Sequence, residues 1–195
     1  MRFAPFHRMR PLLLALLILV FPCLAPAEEE AAQPSPPAKP LVLTPGEGIR
    51  IHPKEGFLEV DATLVLERGV LEVYASSPGG KLHESLLMIK PRPQFIHFGL
   101  IILGLKEGSA TETQGGKRAP RGEAVDLFVE WQEGGRTWRA RAEDLVYNTQ
   151  RKEPMEQGSW VFTGSRHVKD RDPNTGQERD IYLANATGTV ITTFR

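Results

Sequence analysis

Arg2, Arg8 and Arg10 precede an almost wholly apolar run, residues 12–21, and Ala25-Pro26-Ala27 then stands just before Glu28-Glu29-Glu30. A basic start, a short apolar stretch and a small-residue motif, in that order, mark an export leader that is removed from the mature protein. Cleavage after Ala27 takes away Cys23, the only cysteine, and leaves 168 of the 195 residues. The remainder can close no intramolecular disulfide, so an apolar core has to hold the fold. Its length suffices for one domain of ordinary size.

The apolar run is shorter than the roughly 20 residues that a membrane span needs. The expected product is therefore periplasmic or secreted, with no stable transmembrane span after cleavage. Two tethered alternatives stand beside it, an uncleaved leader and a lipidated Cys23. Lipid-processing peptidases require small residues just ahead of the cysteine, and Phe21 and Pro22 occupy those places.

The precursor carries 24 basic and 24 acidic residues; losing the three leader arginines leaves the mature chain at a formal charge of −3. Basic groups such as Lys117-Arg118, Arg136/Arg139/Arg141 and Arg151-Lys152 are each diluted by acids. A nucleic-acid binder needs a basic stripe worth several phosphate contacts, so no nucleic-acid partner is expected. Without cysteines, thiol redox chemistry, an iron–sulfur cluster and a four-cysteine zinc site are excluded for the mature chain. No cofactor is expected.

Residues 28–45 read as a linker, because Pro34, Pro36, Pro37, Pro40 and Pro45 among small and polar residues favour an extended tether. A single domain follows over 46–195. Two-residue alternation and branched side chains predict strands at 49–51, 57–60, 62–66, 70–74 and 86–89. Residues 93–103 are apolar almost throughout and open on Pro93, which fits a largely buried helix with Gly104 as its cap. Further strands are predicted at 124–131 and 136–142 around Glu133-Gly134-Gly135, then at 160–162, 181–183 and 189–193. In the second of these, Trp138, Ala140 and Ala142 mark a packed face and Arg139 and Arg141 a wet one. The fold class is α+β, a mainly antiparallel sheet with one apolar covering helix.

Candidate chemistry is sparse. His83-Glu84-Ser85 follows the Gly79-Gly80 turn at the start of a strand, where His83 and Ser85 would share a face. Serine activation also needs a group to orient the histidine and an oxyanion donor pair, and neither is visible. Glu143 and Asp144 are adjacent, which suits helix capping, solvent exposure or hard metal ligation. His52, His83, His97 and His167 show no short metal-ligand spacing, and His97 reads as a hydrogen-bonding residue inside the apolar helix. Residues 170–180 invite a calcium reading, but the EF-hand spacing fails and Asp-Pro-Asn-Thr-Gly is what a tight turn requires. Asn185-Ala186-Thr187 matches the glycosylation acceptor rule. Trp131, Trp138 and Trp160 read as sheet anchors, and an exposed one among them would reopen ligand binding.

Several longer words occur in order: residues 79–86, the stretch ending Leu103-Gly104-Leu105, Val129-Glu130-Trp131, Arg141-Ala142-Glu143-Asp144 and residues 160–165. Together they resemble the bacterial YdjY-domain family over about residues 46–193. The resemblance brings no established reaction, ligand or catalytic residue. Some relatives carry ferredoxin-like names, and the missing cysteines make an iron–sulfur role untenable here.

The function expected on these grounds is an exported, non-catalytic binding or envelope-assembly module. Its partner would be an envelope protein or small ligand, met by Lys81, His83, Glu84 and Ser85. The alternative is a metal-assisted hydrolase of a cell-envelope substrate, in which His83, Glu84, Glu143 and Asp144 converge around metal-bound water.

Overall fold

The computed structural model describes residues 14–19, 40–41, 47–111 and 118–193. The expected cleavage site, Cys23 and all of the linker except Pro40 and Leu41 lie outside them. Leu14–Leu19, inside the apolar run of the expected leader, forms a strand, β1. The next two strands follow the period of two. β2 (Ile49–His52) buries Ile49 and Ile51, and β3 (Phe57–Leu64) buries Leu58, Val60 and Ala62. They pair antiparallel with Ile51 opposite Leu58, and Leu41 adds a bridge to Ile51. On the outer face Arg50 donates to both Glu59 and Asp61 at 2.8 Å. The two strands expected at 57–60 and 62–66 are thus one.

β4 (Val73–Ser76) begins later than expected: Val70 is exposed, whereas Val73 to Ser76 are all buried. β5 (Ser85–Ile89) runs parallel to β4 and antiparallel to β3, with Ala75 opposite Leu87 and Ala62 opposite Ile89. The helix α1 (Pro93–Ile102) carries proline in its first turn, as the sequence predicts. It is not largely buried, however. Ile96, Gly99 and Leu100 face inward, Gly99 riding on Leu58 and Ile51, while Phe98 stays 51% exposed and Ile101 and Ile102 stand out beside it. An all-round apolar run carries no phase, so packing alone selects the 96/99/100 stripe.

β6 (Glu123–Glu133) and β7 (Arg136–Arg141) form the expected hairpin. Gly134 and Gly135 have φ of +58° and +76°, the pair of positive angles that a two-residue turn requires. The predicted packed face of β7 is only partly realised, because Trp138 lies at the open end, 47% exposed and stacked on Trp131 at 6.4 Å. A 3₁₀ turn at Ala142–Leu145 leads to the short pair β8 (Tyr147–Asn148) and β9 (Glu153–Pro154). β10 (Trp160–Phe162) joins the start of β6. β11 (His167–Arg171) and β12 (Glu178–Tyr182) make a separate hairpin. Its turn is closed by Asp172, which accepts from the amides of Asn174 and Thr175 at 2.8 and 3.1 Å. A short helix, α2 (Leu183–Thr187), and β13 (Thr189–Thr192) complete the described chain.

Among the described residues the main sheet has nine strands, ordered β10-β6-β1-β3-β5-β4-β13, with β2 on β3 and β7 on β6. Every pairing except β4–β5 is antiparallel. The sheet curls until its ends meet: Trp160 Nε1 of β10 donates to the Thr192 carbonyl of β13 at 2.9 Å. One core fills the curl, with Leu16, Leu58, Val60, Tyr74, Leu127 and Val129 at or near zero exposure. No described helix is long and apolar enough to cross a membrane.

Tyr74 sits in that core edge-on to Trp160, at 5.7 Å between ring centroids. Its hydroxyl is buried and meets no hydrogen-bond partner among the described residues. Burial, and then the charges of Glu143 and Asp144, push its pKa well above the ordinary tyrosine range. An unpaired buried hydroxyl costs roughly 1–3 kcal/mol. Tyr74→Phe is therefore expected to leave the urea midpoint unchanged or raise it, and a lowered midpoint would reveal a partner for the hydroxyl.

Candidate functional site

The loop singled out by sequence is built as a brace. Leu82–Glu84 form a 3₁₀ turn and not the start of a strand, so His83 and Ser85 do not share a face. Ser85 is wholly buried, with its hydroxyl 2.9 Å from Ser76 Oγ and 2.7 Å from the Lys81 carbonyl. His83 points outward, its side chain 81% exposed. Lys81 Nζ binds Glu84 at 2.6 Å and reaches Glu72 at 3.7 Å. Glu84 is the main reason its ammonium is held above the ordinary lysine range. Gly80 lies against Gly188, and the Ser77 amide donates to the Gly188 carbonyl at 2.8 Å. His83→Ala is expected to change stability by less than about 0.5 kcal/mol, checked by urea denaturation; a larger loss would mean that His83 braces the loop.

Glu143 is fully buried, where the sequence favours a cap or an exposed site. It accepts from Arg141 Nη2 and the Gly158 amide, both at 3.0 Å. Arg141 is the last residue of β7, its guanidinium over Phe128, and the next turn tucks the carboxylate beneath it. Asp144 faces the other way, toward Gln157 Nε2 at 3.1 Å. Glu84 and Glu143 are thus each engaged by a cation. Among the described residues no three His, Cys, Asp or Glu side chains gather closely enough to hold a metal ion.

A different region has the form of a binding site. A groove of about 350 Å³ opens where the two ends of the curled sheet meet, between α1, β10, α2 and β13. Its floor is apolar: Ile96 and Leu100 from α1, Trp160 and Phe162 from β10, and Ile191 from β13. Sites for small ligands share this character, a concave apolar lining with a few convergent polar groups.

Several Thr and Ser hydroxyls line the groove as well, and its ring-bearing polar groups include His97 and Tyr182. Tyr182 Oη lies 2.8 Å from His97 Nδ1, and His97 Nε2 lies 3.7 Å from Glu107 Oε2. If Tyr182 donates, the neutral imidazole carries its proton on Nε2, facing the Glu107 carboxylate. The imidazole is fixed by its neighbours, edge-on to Phe162 at 5.2 Å and to Tyr182 at 5.7 Å. Partial burial, with a smaller push from the Glu107 charge, raises the Tyr182 pKa against the opposing contact with Ser165. The hydroxyl stays protonated at neutral pH, so this wall presents an oriented hydrogen-bonding pair. A second hollow of about 240 Å³, lined in part by Gln94, Glu107 and His167, lies on its other side.

Local structure places this pair. Proline starts α1 so that position 97 turns toward β12, where Tyr182 is the last strand residue before α2. Asn185, read from sequence as a glycosylation acceptor, ties the two helices: its Oδ1 accepts from the Gln94 amide at 3.1 Å and its Nδ2 donates to Gln94 Oε1 at 2.6 Å. The sequence does single out His97 as a hydrogen-bonding helix residue. It offers no signal for Tyr182, which lies 85 positions away.

No curated protein and no solved structure gives a significant match. The family model described as the YdjY domain covers residues 55–194, from the turn ahead of β3 through both walls of the groove, and the chain therefore belongs to the YdjY-domain family.

Proposed function

We propose that this protein is an exported, non-catalytic binding module, and that the groove between α1 and the meeting ends of the sheet is its ligand site. The observation that carries the reading is an apolar groove of about 350 Å³ walled at one end by the Tyr182–His97 pair. The matching ligand is elongated and mainly apolar, with one polar end that exchanges a hydrogen bond with Tyr182. Export rests on the leader pattern of residues 1–27, and an envelope lipid fragment or an apolar peptide segment fits both requirements. The Gly79–Ser85 loop supports the site from outside, through the contact of Gly80 with Gly188.

Ala110 lines the groove from an exposed position, so Ala110→Trp fills it without disturbing the core. Native mass spectrometry after incubation with envelope extract is expected to show a defined adduct on the wild type and none on Ala110→Trp. Tyr182→Phe is expected to keep the adduct but weaken it roughly five- to tenfold, the value of about one hydrogen bond. Equal adduct on the wild type and Ala110→Trp would reject the groove as the site.

A further inference from the structure

β1 is the one strand of the main sheet drawn from the expected leader. It pairs with β3 along six register positions, Leu14 opposite Ala62 through Leu19 opposite Phe57. It pairs with β6 along five, Ala15 opposite Glu130 through Leu19 opposite Asp126. Among the described residues β3 and β6 share no ladder with each other. Leu16 is wholly buried between Val60 and Val129 and belongs to the central core. Removal of residues 1–27, the reading on which export also rests, therefore takes a middle strand out of the sheet. Two rows of backbone donors and acceptors lose their partners, which is costly in a core and a template for a new strand elsewhere.

Direct closure of β3 onto β6 meets an obstacle. β3 is held on its other edge by β2 and β5, and β6 by β7 and β10. The ends of the curl are joined by the Trp160–Thr192 hydrogen bond at 2.9 Å. Losing one strand spacing, about 4.8 Å, would pull that seam and the groove beside it apart. A replacement strand keeps both.

We infer that the mature protein accepts an extended segment of another polypeptide between β3 and β6, antiparallel to both. The inner positions, those of residues 14, 16 and 18, stand opposite Ala62, Val60 and Leu58 and call for apolar side chains. The intervening positions run past Asp61 and Glu130, then Glu59, then Asp126. These carboxylates already meet Arg50, Arg139 and Arg141. With Glu143, however, there are five carboxylates to three arginines, so the residual charge is negative and basic or neutral residues fit there better than acidic ones. Affinity comes from the two ladders, and specificity from the apolar alternation and the acidic borders.

The test uses protein recovered from the cell envelope, with its N-terminus read by intact mass. The probe is a synthetic Leu14–Leu19 peptide with lysine in place of Ala15, Leu17 and Leu19. Chain starting at Glu28 is expected to bind it one to one, and amide exchange in 57–62 and 126–130 is expected to slow at least tenfold. Glutamate in place of the three lysines is expected to weaken binding at least tenfold, and aspartate in place of Leu16 to abolish it. A monomer whose β3 and β6 amides are already protected and which ignores the peptide would overturn the inference by showing that the slot closes. Protection in a dimer would overturn it in favour of a second copy. Recovery of chain that keeps residues 1–27 would instead overturn the leader reading, with the slot filled by the protein's own β1.

Discussion

Arg141→Met is expected to destabilise the protein by about 3–5 kcal/mol, the range for stripping one partner from a buried ion pair. Glu143 has no solvent exposure, and Arg141 Nη2 lies 3.0 Å from its Oε1 and 3.2 Å from Asp126 Oδ1. The replacement takes the cation from both carboxylates: Asp126 is partly exposed and keeps Ser159 Oγ at 2.8 Å, whereas Glu143 loses it inside the core and keeps the Gly158 amide. Methionine preserves the packing of the stem, so the change reports on charge. Arg139→Met is the control: its guanidinium sits at the surface, 3.6 Å from Glu130, and its loss is expected to cost below about 1 kcal/mol. Urea midpoints decide between them. Equal midpoints for the two variants would show that Glu143 is not held by Arg141. The double replacement Arg141→Met with Glu143→Leu is expected to recover much of the loss, because an apolar pair needs no partner.

Gly188→Ala is the second large effect, roughly 3–5 kcal/mol from positive-φ strain and overpacking together. Gly188 has φ of +69° at the end of α2, and an added Cβ would stand 2.5 Å from both the Cα and the amide nitrogen of Gly80. Backbone atoms cannot rotate away, so the loop at 79–85 must move. Gly176 has the same φ of +69° with nothing within 4 Å of an added Cβ. Gly176→Ala therefore pays only the conformational penalty, about 1–2 kcal/mol. The gap between the two variants measures the close approach, and amide exchange at 79–85 should rise in Gly188→Ala alone. Equal losses would mean that the loop yields freely.

Where one residue class dictates the backbone, the sequence is a sufficient guide. Gly134-Gly135 fixes the β6–β7 hairpin, Pro93 fixes the start of α1, and Asp172 with Gly176 fixes the β11–β12 turn. Period-two alternation likewise marks β2 and β3. Elsewhere tertiary contacts choose among local options that the sequence leaves open. The 70–74 run slides to Val73–Ser76 because β4 is buried on both faces, so alternation carries no register there. Helix α1 is apolar all round, and nothing in its pattern leaves Phe98, Ile101 and Ile102 outside. His83-Glu84-Ser85 looks reactive as a word, but a 3₁₀ turn splits it between solvent and core. Glu143 looks exposed beside Asp144, yet Arg141 two positions earlier turns it inward. The groove is the least legible feature, since its polar pair joins residues from a helix and a strand that meet only through the curl of the sheet.

The binding reading is tested most directly by NMR mapping of the groove against the loop. With the envelope fraction that yields the mass adduct, resonances of Ile96, His97, Tyr182 and Ile191 are predicted to shift. Those of Lys81, His83 and Glu84 are predicted to stay in place, and the Tyr182 ring signals should show the greatest change because the ligand's polar end meets that hydroxyl. Shifts centred on residues 81–85, with Tyr182 and His97 unmoved, would contradict the account and return the site to the loop.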